Sequence, residues 1–199
     1  RLMENFHPKE VVIDINGLGV SVADLMVQVT FDDERNIVLP AYGFSNRDEY
    51  EGIRPRGCEK ILYGIKATGQ INSDMHSTLF AKVYSGAIKF LISEQEAKVK
   101  LMSTKAGQKM KTKEKIARLM PHELTSIMIN EIMNLRIKPT GVNNQISVEQ
   151  INKRMLKDKF SALEMGIYRA VTMETENNTR RRNRGLGGKR KLTFFRKGR

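Results

Sequence analysis

Cysteine is almost absent: Cys58 is the only one in 199 residues. That excludes a disulfide framework and any multi-cysteine zinc site, and it suits a reducing compartment. Tryptophan is missing and aromatic residues make up 7% of the chain, which argues against a platform that stacks RNA bases. No apolar run approaches the ~20 residues of a membrane-spanning helix, and the opening RLMENFHPKE does not read as a secretory signal. No Gly-Lys-Ser or Gly-Lys-Thr phosphate loop occurs, so ATP hydrolysis by this chain is not expected. The run Asn16-Gly17-Leu18-Gly19 starts like a dinucleotide fingerprint, but the third glycine position is Val22 and that reading fails.

What is present is apolar material for a core, 40% of the residues, and an excess of cations: 35 Lys and Arg against 22 acids, a net charge of +13. The length fits one domain with a tail. Residues 180–199 hold ten cations and no acid, so +10 sits there and +3 remains on residues 1–179. Arg180, Arg181 and Arg182 open this block, and Gly185, Gly187 and Gly188 lie inside it. Self-repulsion and glycine content predict a disordered basic tail over 180–199, following a folded domain over 1–179. So dense a block of uncompensated charge points to nucleic acid, without separating DNA from RNA. A second basic stretch, 98–118, includes Lys105, Lys109, Lys111 and Lys113 and a single acid, Glu114. It reads equally as a phosphate-binding surface or as a solvated face.

The β-branched run 11–15 predicts a strand buried on both faces, closed by a glycine turn. A helical pattern follows at Val22, Leu25, Met26 and Val29, with Ser21 and Asp24 as a capping-box-like start. Strand, glycine turn and helix form the opening of an α/β unit. Residues 32–70 read mostly as loop, with one short strand in 60–65. A helix is expected over 73–84 with Met75, Leu79 and Val83 on one face and Gly86 as its stop. A strand is expected over 87–92. Residues 94–119 read as helical on either side of Gly107, with Thr112 as N-cap of the second piece, and Pro121 fits the first turn of a further helix to 134. Segments 135–138 and 146–151 predict a hairpin around PTGVNNQ. An amphipathic helix is expected over 158–175, with Phe160, Leu163, Ile167 and Val171 on one side.

Asp14 carries the most information. A carboxylate at the carboxyl end of a buried strand is costly without compensation, and open α/β sheets place ligands at that end. Equally, it can cap the following turn through the Asn16 and Gly17 amides. Asp158 opens the last helix, where an acid complements the macrodipole by about 0.3–1 kcal/mol. His76 reads as a surface or partly packed histidine rather than a ligand.

Three strings, VVIDINGLGVSVADLM, NSDMHSTLFAKVYSGAIKFL and INKRMLKDKFSALEMGIYRAV, together resemble the nuclease domain of the large terminase subunit of tailed bacteriophages. Their order matches that family: an acid at a strand end, a glycine turn and helix, a helix leading through Gly to a strand, and a Lys-Asp opening the final helix. The resemblance covers most of residues 5–175. It implies a ribonuclease H-like α/β fold and two-metal phosphodiester hydrolysis with Mg²⁺ or Mn²⁺, whose preference for oxygen requires carboxylates. Asp14 would correspond to the family's second acid and Asp158 to its third, both as catalytic metal ligands, with Asp24 structural. Lys105, Lys109, Lys111, Lys113, Lys157, Arg180, Arg181 and Arg182 would hold duplex DNA through phosphates.

The family's first acid lies on an earlier strand, whereas thirteen residues precede Asp14 and the chain begins at Arg1. On that comparison the first strands, the first ligand and the packaging ATPase domain are expected elsewhere, and this portion alone is expected to cleave poorly. The implied partners are double-stranded viral DNA, the N-terminal ATPase portion, the small terminase subunit and the portal protein, in the host bacterial cytoplasm. The alternative is a non-catalytic basic module that binds DNA or docks on a portal. A third reading is an RNA-binding protein with a basic extension.

Overall fold

A computed structural model describes residues 3, 6–53, 55–141 and 145–188. The chain is mixed α/β, and the described elements include six α-helices and three small two-stranded sheets. The first sheet pairs β1 (Val11–Asp14) in parallel with β4 (Leu62–Ile65), in the register Val11 with Leu62 through Asp14 with Ile65. Segment 43–46 follows the other edge of β4. Leu62 N donates to the Gly43 carbonyl at 2.9 Å, and Ser45 N donates to the Leu62 carbonyl at 2.8 Å. The Asn46 side chain continues this pairing, bonding both the N–H and the carbonyl of Gly64 at 2.9 Å.

Between the paired strands lie α1 (Leu18–Met26) and a hairpin of β2 (Thr30–Asp32) and β3 (Ile37–Leu39). That hairpin stands where loop was expected, because its two strands are only three residues each and carry little periodicity. The start of α1 differs as well. Its N-cap is Gly17, at φ 54°, and no side chain caps it, so Ser21 lies inside the helix. Ala23 in the helix and Val27 at its C-cap are completely buried, while Val22 and Leu25, and Val29 just beyond, are 50–62% exposed. Both sides of α1 are apolar, so spacing could not say which one faces inward. The inner side packs with Ile13, Ile15, Phe44, Tyr50, Ile61 and Leu62 into the main core.

Beyond β4 come α2 (Gly69–Tyr84), α3 (Glu94–Met102), α4 (Lys105–Lys109) and α5 (Thr112–Met133). The hairpin of β5 (Leu135–Pro139) and β6 (Ile146–Gln150) follows as expected, and α6 (Asp158–Gly188) closes the described chain. The strand expected over 87–92 is absent: among the described residues, 88–92 join no ladder of backbone hydrogen bonds. Pro121 lies inside the 22-residue α5 and does not open a new helix. It removes one donor from the ladder, while Thr125 Oγ1 donates to the Pro121 carbonyl at 2.8 Å.

Helix α6 runs through Gly188, so residues 180–188 are helical where disorder was expected. Propagation costs little once a packed helix has begun, and this one packs against α2 and β1. The expected disorder over 189–199 lies outside the described residues. No helix among the described residues is long and apolar enough to cross a membrane.

Candidate active site

A cavity of about 380 Å³ opens where β1 and β4 end. Asp14 lines it from the last position of β1, and Ala67, Gly69 and Asn72 line it from the end of β4 and the start of α2. Thus it occupies the carboxyl ends of two parallel strands, the usual ligand position in open α/β sheets. From the far side come Ser147 and Val148 of β6, then Lys157, Phe160, Ser161 and Glu164 around the start of α6.

Local chemistry fixes Asp14. Its Oδ1 accepts the Asn16 N–H at 3.0 Å, so the turn-capping role is real, and it engages one oxygen of two. The chain then closes back on the strand: a Cβ on Gly19 would lie 1.5 Å from the Asp14 carbonyl oxygen. Only glycine permits α1 to begin that close to the strand end.

The other wall depends on how α6 begins. Buried Glu131, near the end of α5, accepts the backbone N–H groups of Lys159 and Phe160 at 2.9 and 3.0 Å and the Lys159 ammonium at 3.3 Å. A carboxylate from another helix therefore does the work of an N-cap. Asn134 holds the preceding loop, donating to the Asn152 carbonyl at 3.0 Å and accepting its N–H at 2.8 Å. Helix α6 is anchored along its length by buried Arg169, which forms two bonds to Glu10 at 2.6 and 2.9 Å and one to Glu176 at 3.0 Å, over the Tyr63 ring. The Glu10 hydrogen bonds raise the guanidinium pKa further, against its burial.

Of the residues singled out by sequence, Asp14 and Lys157 share the cavity. Asp158 adjoins Lys157 in the first turn of α6; it is exposed and does not line the cavity. Lys105, Lys109, Lys111 and Lys113 are exposed on the α3–α5 unit, and Arg180, Arg181 and Arg182 are exposed on the far part of α6. Asp24 is exposed on α1.

Sequence reasoning missed Glu164 and Glu131, and it read His76 as unremarkable. His76 is instead buried and its Nδ1 lies 2.8 Å from Glu164 Oε2. A signal existed for both acids. Glu164 stands four residues after Phe160 on the apolar stripe of its helix, and Glu131 stands among Ile127, Met128 and Ile132. An acid on a buried face requires a partner.

Carboxylate oxygens such as those of Asp14 are the right donors for Mg²⁺ or Mn²⁺. Among the described residues no three His, Cys, Asp or Glu are gathered as a metal-holding group. A second cavity, about 360 Å³, lies within the α3–α5 unit and is lined by Lys100, Arg118, His122 and apolar side chains, with no acid. Compared with protein-family models, curated proteins and solved structures, the chain matches none.

Proposed function

We propose that this chain is the nuclease portion of a phage large terminase subunit, ribonuclease H-like in fold, that cuts concatemeric viral DNA during packaging. The observation that carries the reading is the shared cavity: Asp14, at the end of a parallel strand, faces the Lys157 end of the final helix across one space. Both are positions the family resemblance singles out, and they are 143 residues apart in sequence.

Asp14 would hold Mg²⁺ or Mn²⁺ from within the cavity and Asp158 from the exposed first turn of α6, next to Lys157, with water and phosphate oxygens completing the coordination. When bound, such ions supply Lewis-acid stabilisation of the phosphate charge. The chain's own residues do the rest. The Asn16 amide fixes the Asp14 carboxylate, Lys157 offers an ammonium to a phosphate at the cavity, and the start of α2 adds the positive end of a helix dipole. The exposed lysines of 105–113 and Arg180, Arg181 and Arg182 position the duplex without reading its sequence. The complete protein is expected to nick DNA with Mg²⁺ or Mn²⁺. Asp14→Ala and Asp158→Ala should abolish nicking and leave DNA binding in place; full activity in either variant refutes the assignment.

A second reading is favoured by the exposed cations Lys105, Lys109, Lys111 and Lys113 and Arg180, Arg181 and Arg182, which lie away from the cavity. In it the chain grips DNA, or docks on a portal, without cutting. Metal-independent binding by a protein that never nicks would support it. In both readings, deleting residues 180–199 should flatten the dependence of log K on log salt.

A further inference from the structure

One buried ionisable pair takes no part in the mechanism above. His76 of α2 and Glu164 of α6 have side chains only 11% and 5% exposed, and they meet at 2.8 Å through Nδ1 and Oε2. Both line the cavity that Asp14 opens. The carboxylate accepts, so Nδ1 carries the hydrogen, and Nε2 is the ring nitrogen left for a cavity ligand. Phe160 stacks beside the imidazole, with centroids 6.1 Å apart and planes 27° apart, which further restricts its orientation. A carboxylate that fixes the tautomer of a histidine and stabilises its protonated form is the arrangement of an acid–base group.

We propose that His76, oriented by Glu164, is the proton acceptor of this cavity. The inference rests on the nuclease reading. Nε2 takes a proton from water as the water oxygen bonds to phosphorus. The bond from phosphorus to the departing sugar oxygen breaks, and that oxygen takes a proton from solvent. The products are a phosphate monoester and a sugar hydroxyl, and the imidazolium later returns its proton to solvent.

The charged groups sharing the cavity are Glu164 and Lys157 at the start of α6 and Asp14 on β1, while β6 contributes Ser147 and Val148. Further along α6, Tyr168 interacts with Asp74 of α2. Neither Asp14 nor Asp158 bonds to His76.

The test is the pH dependence of nicking by the complete protein, alongside His76→Gln and Glu164→Gln. Wild-type activity should rise with pH along a limb that depends on His76. His76→Gln should remove that limb and slow nicking by about 10²–10⁴-fold. Glu164→Gln, which removes the carboxylate that orients the ring, should keep the limb and slow nicking by less than His76→Gln does. Long-range ¹H–¹⁵N spectra give a readout apart from activity. Among three histidines, the signal lost in His76→Gln should show the Nδ1–H tautomer when neutral. Should His76→Gln fail to fold, the rate loss in Glu164→Gln and the wild-type tautomer decide. An unchanged profile in an active His76→Gln, or an Nε2–H tautomer, overturns this inference and leaves the nuclease reading standing. Absence of nicking by the wild type with either metal overturns both.

Discussion

Replacing Gly19 by alanine sets a methyl carbon 1.5 Å from the carbonyl oxygen of Asp14 and 2.7 Å from its carbonyl carbon. Ordinary contact begins near 3.4 Å, so strand end or helix start must give by about 2 Å in a region that is otherwise close-packed. Helix propensity alone favours alanine by about 1 kcal/mol. The overlap costs at least about 3 kcal/mol, which leaves a net loss of about 2 kcal/mol, a large share of a typical domain stability of 5–15 kcal/mol. Gly166 is the control. It is also helical, in α6, but a Cβ there would meet nothing within 4 Å. Gly166→Ala should therefore stabilise by about 0.5–1 kcal/mol. Urea unfolding of both variants measures the contrast, with unchanged m-values confirming that native stability has moved. Gly19→Ala should also reduce metal-dependent nicking, since the carbonyl it displaces belongs to Asp14. Equal stability of the two variants would refute the claim that the α1 start is packed onto the strand end.

Glu131→Ala leaves the Lys159 and Phe160 amides without their acceptor and should cost about 2 kcal/mol in thermal or urea unfolding; Glu131→Gln, which can still accept, should cost less. Arg169→Met strands the partly buried Glu10 carboxylate and should destabilise by about 2 kcal/mol, part of which returns when Glu10→Gln is added. On the β5–β6 hairpin, the Arg136 hydrogen bond holds the Glu149 carboxyl below its ordinary value of 4.5. Because that folded-state value is depressed, the pair's contribution is present above pH 4.5 and is lost as pH falls through the lowered value. Acid-unfolding curves of wild type and Glu149→Gln should therefore differ at neutral pH and converge in acid.

The sequence by itself determined the strand at β1, the hairpin after α5 and the start of α6, because β-branched runs, turn residues and a helical apolar stripe are local signals. Asp14 was legible for the same reason: an acid at the end of an apolar run stands out. Local signals also misled. Pro121 marked a break that the turns on either side of it carried through, and the AIKFLI run joined no ladder of backbone hydrogen bonds among the described residues. Only tertiary structure decided which side of α1 faces the core, since both of its sides are apolar. It alone brought His76 to Glu164 across 88 residues, and Glu131 to the first turn of α6. Those contacts depend on how helices distant in sequence pack, and a buried carboxylate shows its need for a partner without naming one.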